Sequence, residues 1–141
     1  MKTSLAPGVA TTTRVVVDRA RTIDFMGEQA RVYATPMLVR DIEIACRELL
    51  LAHLDPGEDS VGTRVEIDHL AATLLGMQVT LTVRVAETKG RAVLFDVEAR
   101  DDVEPICRGR HARFVVDVKT TEARLAAKAQ KAQNANKAAA P

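Results

Sequence analysis

Aromatic side chains are scarce in this 141-residue sequence, which has no Trp, one Tyr and three Phe. Unpaired bases need aromatic platforms to stack on, and quaternary cations need aromatic cages, so both kinds of binding site are disfavoured. Only two cysteines occur, Cys46 and Cys107, and neither stands in a CxxC or CxxxH spacing. A disulfide framework and a thiolate metal site are therefore unsupported. His53, His69 and His111 have no metal-ligand spacing, and no P-loop, GxGxxG, HExxH or GxSxG motif is present. No apolar run approaches the ~18 residues of a membrane span. The start, Met1 to Gly8, lacks the apolar stretch of a signal peptide. The expectation is a cytoplasmic protein with no metal, no cofactor and no membrane partner.

Net charge is also small, at +1, but it is unevenly spread. Of 20 basic and 19 acidic residues, five basic and one acidic lie between Lys119 and Pro141, leaving 15 and 18 for residues 1–118. A slightly acidic body does not suit a polyphosphate backbone, so nucleic acid is not an expected partner. The basic tail is rich in Ala, Lys, Gln and Asn with Leu125 as its one sizeable apolar residue. Ala and Lys favour helix, yet nothing there forms a stripe to bury, so residues 119–141 read as a frayed helix or disorder.

What is abundant is aliphatic. Hydrophobic residues make up 47% of the chain, enough for one core. Alternation at Thr13–Asp18 predicts a first strand, and a polar connector runs from Arg19 to about Arg31. Thr35-Pro36 reads as a helix start, with Thr as the cap and Pro where its missing N–H costs nothing. The helix is expected from about Pro36 to Leu54, before the breakers Asp55-Pro56-Gly57. Twelve of the 18 residues from Met37 to Leu54 are apolar, with Arg40, Glu43 and Arg47 forming a narrow polar stripe. Such a helix needs cover on most sides.

Four strands are expected after it. Val61–Ala71 places Val65, Ile67, His69 and Ala71 on an inner face. Met77–Glu87 turns Val79, Leu81, Val83 and Val85 inward, and a hairpin at Thr88-Lys89-Gly90 follows. Arg91–Arg100 groups Val93, Phe95, Val97 and Ala99. Ile106–Val118 divides into Ala112, Phe114, Val116 and Val118 on one face and Cys107, Gly109, His111 and Arg113 on the other. The class is α+β: an antiparallel sheet of about five strands wrapped around one long central helix, in residues 1–118. Its exposed sheet edges suit pairing with a second copy.

Few residues offer chemistry. His69 is a polar group on an apolar face, either a satisfied core histidine or a base able to change charge near neutral pH. Glu43 is either an i,i+4 partner of Arg47 or a partly desolvated carboxylate of raised pKa, fit to be a base or nucleophile. Thr35 is an N-cap or, with the free N–H groups of the helix start, a binder of a carbonyl or oxyanion. Gly62 either begins a strand or lets a substrate approach the backbone. Thr35 and Glu43 are eight residues apart, ~12 Å along a helix axis. Either the helix begins later, or the site is assembled across a dimer interface.

Three segments carry a resemblance: Tyr33-Ala34-Thr35-Pro36, Glu43-x-Ala45-Cys46, and Gly62-Thr63-x-Val65-x-x-x-His69-Leu70-Ala71-Ala72-Thr73-x-x-Gly76, with Gly109-x-His111-x-Arg113 near the end. From about Val15 to Val118 the chain resembles the hotdog-fold acyl-CoA thioesterases of the fluoroacetyl-CoA thioesterase-like family. The resemblance implies a homodimer, with tetramers left open, and active sites at the subunit interface. It implies hydrolysis of an acyl-CoA to acid and CoA, with Glu43 as base or nucleophile, His69 assisting proton transfer, Thr35 polarising the carbonyl and Gly62 lining the thioester pocket. Only Phe25 is aromatic between Thr22 and Tyr33, where the fluoroacetyl enzyme has an aromatic-rich lid, and Pro36 replaces a glycine. A short- or medium-chain acyl-CoA is the expected substrate. The alternative is a non-catalytic hotdog module that binds acyl-CoA or a related thioester. A hotdog dehydratase is disfavoured, because Glu48, Arg64 and Ile106 stand where its Asp-x-x-x-x-His signature needs Asp.

Overall fold

The computed structural model describes residues 1–139. Its elements are β1 (Ala10–Val16), β2 (Thr22–Ile23), β3 (Val32–Tyr33), α1 (Thr35–Leu51), β4 (Glu58–His69), β5 (Gln78–Lys89), β6 (Ala92–Arg100), β7 (Pro105–Asp117) and α2 (Val118–Ala139). β1, β5, β6, β7 and β4 form one antiparallel sheet in that order, while β2 and β3 make a small ribbon. The expected five strands and central helix are present. β1 starts three residues earlier and ends two residues earlier than the sequence suggests, and β4 ends at His69 rather than Ala71.

The core follows from period-two alternation. Val79, Leu81, Val83 and Val85 of β5 and Val93, Phe95, Val97 and Ala99 of β6 are buried as expected. They pack against Leu38, Ile42, Ala45, Cys46, Leu49 and Leu50 of α1. Each buried Val, Leu or Ile side chain contributes about 1.5–3 kcal/mol of hydrophobic stabilisation.

Three readings need correction. Thr35 is not the cap of α1: Ala34 holds that extended position with no side-chain bond, and Thr35 lies within the first turn ahead of Pro36. The helix stops at Leu51, three residues short of Leu54, although Leu54 is still buried beneath the turn. The hairpin after β5 turns at Gly90-Arg91, with Gly90 at φ +59°. The polar connector is also more ordered than its composition indicates, with single 3₁₀ turns at Arg19–Arg21 and Glu28–Ala30 flanking β2.

The strand β4 holds the decisive irregularity. Its pairing with β7 shifts between Gly62 and Arg64, so Gly62 lies opposite Arg113 while Val65 lies opposite His111. In a regular strand, residues seven apart point to opposite faces. The extra residue, Thr63, resets the alternation, its hydroxyl donating to the Ala112 carbonyl at 3.2 Å. Ser60 and Gly62 before it, and Val65, Ile67 and His69 after it, thereby share the face toward the helix. Val65, expected inside, is more than a third exposed because β4 is an edge strand with only β7 beside it.

In β7 the inner set is the one that carries the polar groups: Cys107, His111, Arg113 and Val115 are buried, while Phe114 faces out. α2, which takes up most of the basic tail, has no buried residue. Neither helix is long and apolar enough to cross a membrane among the described residues.

Candidate active site

The residues singled out by sequence form two clusters. Thr35 and His69 make the first. His69 ends β4, Thr35 opens α1, and the Thr35 hydroxyl shares a 2.7 Å hydrogen bond with His69 Nδ1. The hydroxyl that failed to cap the helix is engaged here instead. Burial alone pulls the His69 pKa below the usual imidazole value, with no charged neighbour acting against it. Its other nitrogen, Nε2, is buried without a partner. A buried polar atom left unpaired is uncommon and marks a site awaiting a group.

This cluster forms the polar part of an otherwise apolar cavity of about 600 Å³, walled by Ile23, Phe25, Val32, Pro36, Leu70 and neighbouring alanines. Phe25, one of the walls, is 85% exposed. Ligand sites commonly combine this volume with an apolar lining and few polar groups.

Glu43 and Gly62 belong to the second cluster, with Arg113, His111 and Ser60. Arg113 Nη1 lies 3.6 Å from Glu43 Oε2. The guanidinium is held in place by three donations, from Nε to Ser60 Oγ at 2.7 Å, from Nη2 to the Ser60 carbonyl at 2.9 Å and from Nη1 to His111 Nε2 at 3.1 Å. His111 Nδ1–H donates to the Arg64 carbonyl at 2.8 Å, which leaves Nε2 to accept from Arg113. Burial, with the Arg113 charge beside it, lowers the His111 pKa. Gly62 is needed for space: a Cβ there would sit 3.2 Å from Glu43 Oε2 and 3.2 Å from His111 Cε1.

The expected pairing of Glu43 with Arg47 does not form. Arg47 instead grips Asp59 through Nε at 2.9 Å and Nη2 at 2.7 Å, and Arg113 is the cation beside Glu43. Glu43 is also 45% exposed at its side chain, so its own chain does not supply the burial expected of it.

Sequence reasoning passed over His111, Arg113, Asp41 and Tyr33 as functional residues. His111 and Arg113 share one face of β7 with Cys107, Gly109 and Val115, and two adjacent polar side chains on that face were the available signal. No group of His, Cys, Asp and Glu able to hold a metal occurs among the described residues. The two cysteines are buried, with the Cys46 thiol pushed up to about 12 and Cys107 to about 11, values that suit packing rather than nucleophilic attack.

Comparisons with known proteins identify the family and the fold. A family model described as FlK, fluoroacetyl-CoA-specific thioesterase, matches residues 9–119. The fluoroacetyl-CoA thioesterase of Streptantibioticus cattleyicolor is 36% identical over 98 residues, 70% of either chain. A Thermus thermophilus protein described as a thioesterase superfamily member superposes with a TM-score of 0.84 at 30% identity, over 92% of this chain and 97% of that one. A hot-dog-like protein from Thermanaerovibrio acidaminovorans gives 0.79 at 27% identity, over 86% and 91%. With the helix, the sheet and both polar clusters lying inside the matched span, the chain belongs to the fluoroacetyl-CoA-specific thioesterase family of hotdog-fold proteins.

Proposed function

We propose that the protein hydrolyses a short- or medium-chain acyl-CoA, with Thr35 and His69 of one copy and Glu43 and Gly62 of another completing each site. The observation that carries this reading is the hydrogen-bonded Thr35–His69 pair on the wall of an apolar cavity, with His69 Nε2 left buried and unpaired. An apolar acyl chain suits that lining, and the family match supports a CoA thioester as the carrier.

Two features support completion by a second copy. β4 is an edge strand, exposed from Val61 to Glu66, with Val61 and Val65 among its exposed apolar groups. If two β4 strands pair antiparallel with Val65 opposite Val65, their helix-side faces coincide and His69 of one copy lies beside the Ser60–Gly62 segment of the other. Glu43 contacts the Gly62 position within its own chain, so this register brings the two clusters together twice per dimer. The same pairing relieves the open sheet edge.

In the joined site, the Glu43 carboxylate takes a proton from water, and the water oxygen bonds to the thioester carbon. His69 Nδ1–H donates to Thr35 Oγ, and the Thr35 hydroxyl donates to the oxyanion that develops. The tetrahedral adduct collapses with cleavage of the C–S bond. The proton that Glu43 took from water passes through His69 Nε2 to the CoA thiolate, which restores the Glu43 carboxylate, and the acid departs.

The test is thiol release from acetyl-, butyryl-, hexanoyl-, phenylacetyl- and fluoroacetyl-CoA by the wild type, Glu43→Ala and His69→Ala. Turnover of a short- or medium-chain substrate that falls in both variants is expected. Binding without turnover, unchanged in Glu43→Ala, would place the protein among non-catalytic thioester binders and sink the reading.

A further inference from the structure

Asp41 is the one buried charged side chain of α1, only 5% exposed, and the proposed reaction leaves it without a task. Its carboxylate accepts a fork from Arg21, with Nε at 2.9 Å and Nη2 at 3.1 Å, and a further hydrogen bond from the Tyr33 hydroxyl. Tyr33 is itself buried, and its ring stands at 83° to the His69 imidazole with centroids 6.5 Å apart, an edge-to-face arrangement. Its backbone is fixed as well: Tyr33 N–H donates to the Thr73 carbonyl at 2.8 Å, and Ala34 N–H donates to the Arg21 carbonyl at 2.9 Å. Arg21 thus reaches the Thr35–His69 cluster by two routes, one through its side chain and one through its carbonyl.

A Phe at position 33 would fill the same volume without a hydroxyl to satisfy. Burying a carboxylate and a phenol is unfavourable unless both are fully bonded, and here both are. We propose that Tyr33, anchored by Asp41 and Arg21, is a positioning residue of the Thr35–His69 pair. Its fixed ring sets the plane of the imidazole, so that Nδ1 meets the Thr35 hydroxyl and Nε2 stays buried and free for another partner. Asp41 touches no reacting atom and acts through Tyr33. The kinetic part of this inference rests on the thioesterase reading, whereas the geometric part does not.

The experiment compares full-length wild type, Tyr33→Phe and Asp41→Asn by two readouts. The first is the ¹⁵N spectrum of the His69 imidazole, assigned by its disappearance in His69→Gln. Both variants are expected to shift the Nδ1 and Nε2 resonances away from the wild-type tautomer pattern, as the ring loses its fixed plane. The second is turnover, where kcat is expected to fall about tenfold with KM kept within about twofold, the pattern of a mispositioned reacting group. Should Asp41→Asn fail to fold, Tyr33→Phe decides alone, because it keeps the ring. Unchanged His69 resonances in Tyr33→Phe overturn the proposal, whatever happens to thermal stability, and reduce the network to a fastener for residues 18–34. If the wild type turns over no acyl-CoA, the thioesterase reading fails while the spectrum still decides the positioning.

Discussion

The two polar clusters are built on opposite principles. Around Thr35 and His69 the surroundings are apolar, the backbone comes from element ends, and burial alone acts on the imidazole. Around Glu43 the groups come from a helix middle and strand middles, and a buried guanidinium is locked by three hydrogen bonds beside the carboxylate. One chain keeps the neutral base away from the fixed charges. A carboxylate deep in the apolar cavity would be pushed toward its neutral form, whereas in the Glu43 cluster burial and the Arg113 charge lower the pKa of the His111 imidazole. In the proposed dimer, pairing of two copies would be what joins the clusters that each chain keeps apart.

The sharpest way to break this comparison is to mix two inactive proteins. Glu43→Ala and His69→Ala should each reduce kcat by about 10²–10⁴-fold, the range for loss of an acid–base group. Unfolded and refolded together in equal amounts, they should recover about a quarter of wild-type activity, because half the dimers are mixed and each holds one intact site. A mixture that remains as inactive as its parts would place both clusters' work within a single chain.

The next contrast is between two glycines facing the inner side of the β4–β7 pair. A Cβ on Gly109 would lie 2.1 Å from the Glu66 carbonyl oxygen, a collision with backbone that cannot move aside. Gly109→Ala should therefore cost about 3 kcal/mol or more, read as a drop in the urea midpoint. Gly62→Ala meets side chains at 3.2 Å instead. It should fold with a midpoint close to wild type and lose turnover, since Glu43 and His111 must give way. Equal midpoints for the two variants would contradict the close approach of β7 to β4 at Gly109.

Acid should weaken the fold through both clusters. The His69 and His111 pKa values are lowered in the native state, so the unfolded chain binds more protons than the folded one below the ordinary histidine pKa. Stability is complete above that value and declines as the pH falls through it toward the depressed native values. The urea midpoint should drop between pH 7.5 and 5.5, and His69→Gln should flatten part of that slope. A midpoint independent of pH over this interval would contradict the burial of the two rings. The smallest effect belongs to the outer face, where Arg64 and Glu66 pair while both are largely exposed. Arg64→Ala should change stability by less than about 0.5 kcal/mol.

Much of this architecture is legible in the residues because β5 and β6 alternate without interruption, and the apolar excess of α1 marks a covered helix. The inner face of β7 is harder to recognise, since hydropathy alone favours the face with Phe114 and Val116 over the one with His111 and Arg113. Those two are tolerated inside because Ser60, Arg64 and Glu43 satisfy them, which is pairing across distant segments that no local pattern records. Asp41 was hidden in the same way, its partners lying 20 and 8 residues away. For the candidate site, Thr35, Glu43, Gly62 and His69 were visible as odd residues in apolar settings. Their division into two clusters was foreshadowed only by the distance along α1.

The single unpaired residue in β4 has a consequence for how such sequences vary. Because Thr63 inverts the alternation once, the number of residues between Gly62 and His69 acts as a parity setting for the site. Substitutions in that interval leave the setting intact. Insertion or deletion of one residue would preserve a strand of nearly the same length and composition, yet turn one of the two half-sites toward solvent. The interval should therefore tolerate changes of residue far more readily than changes of length.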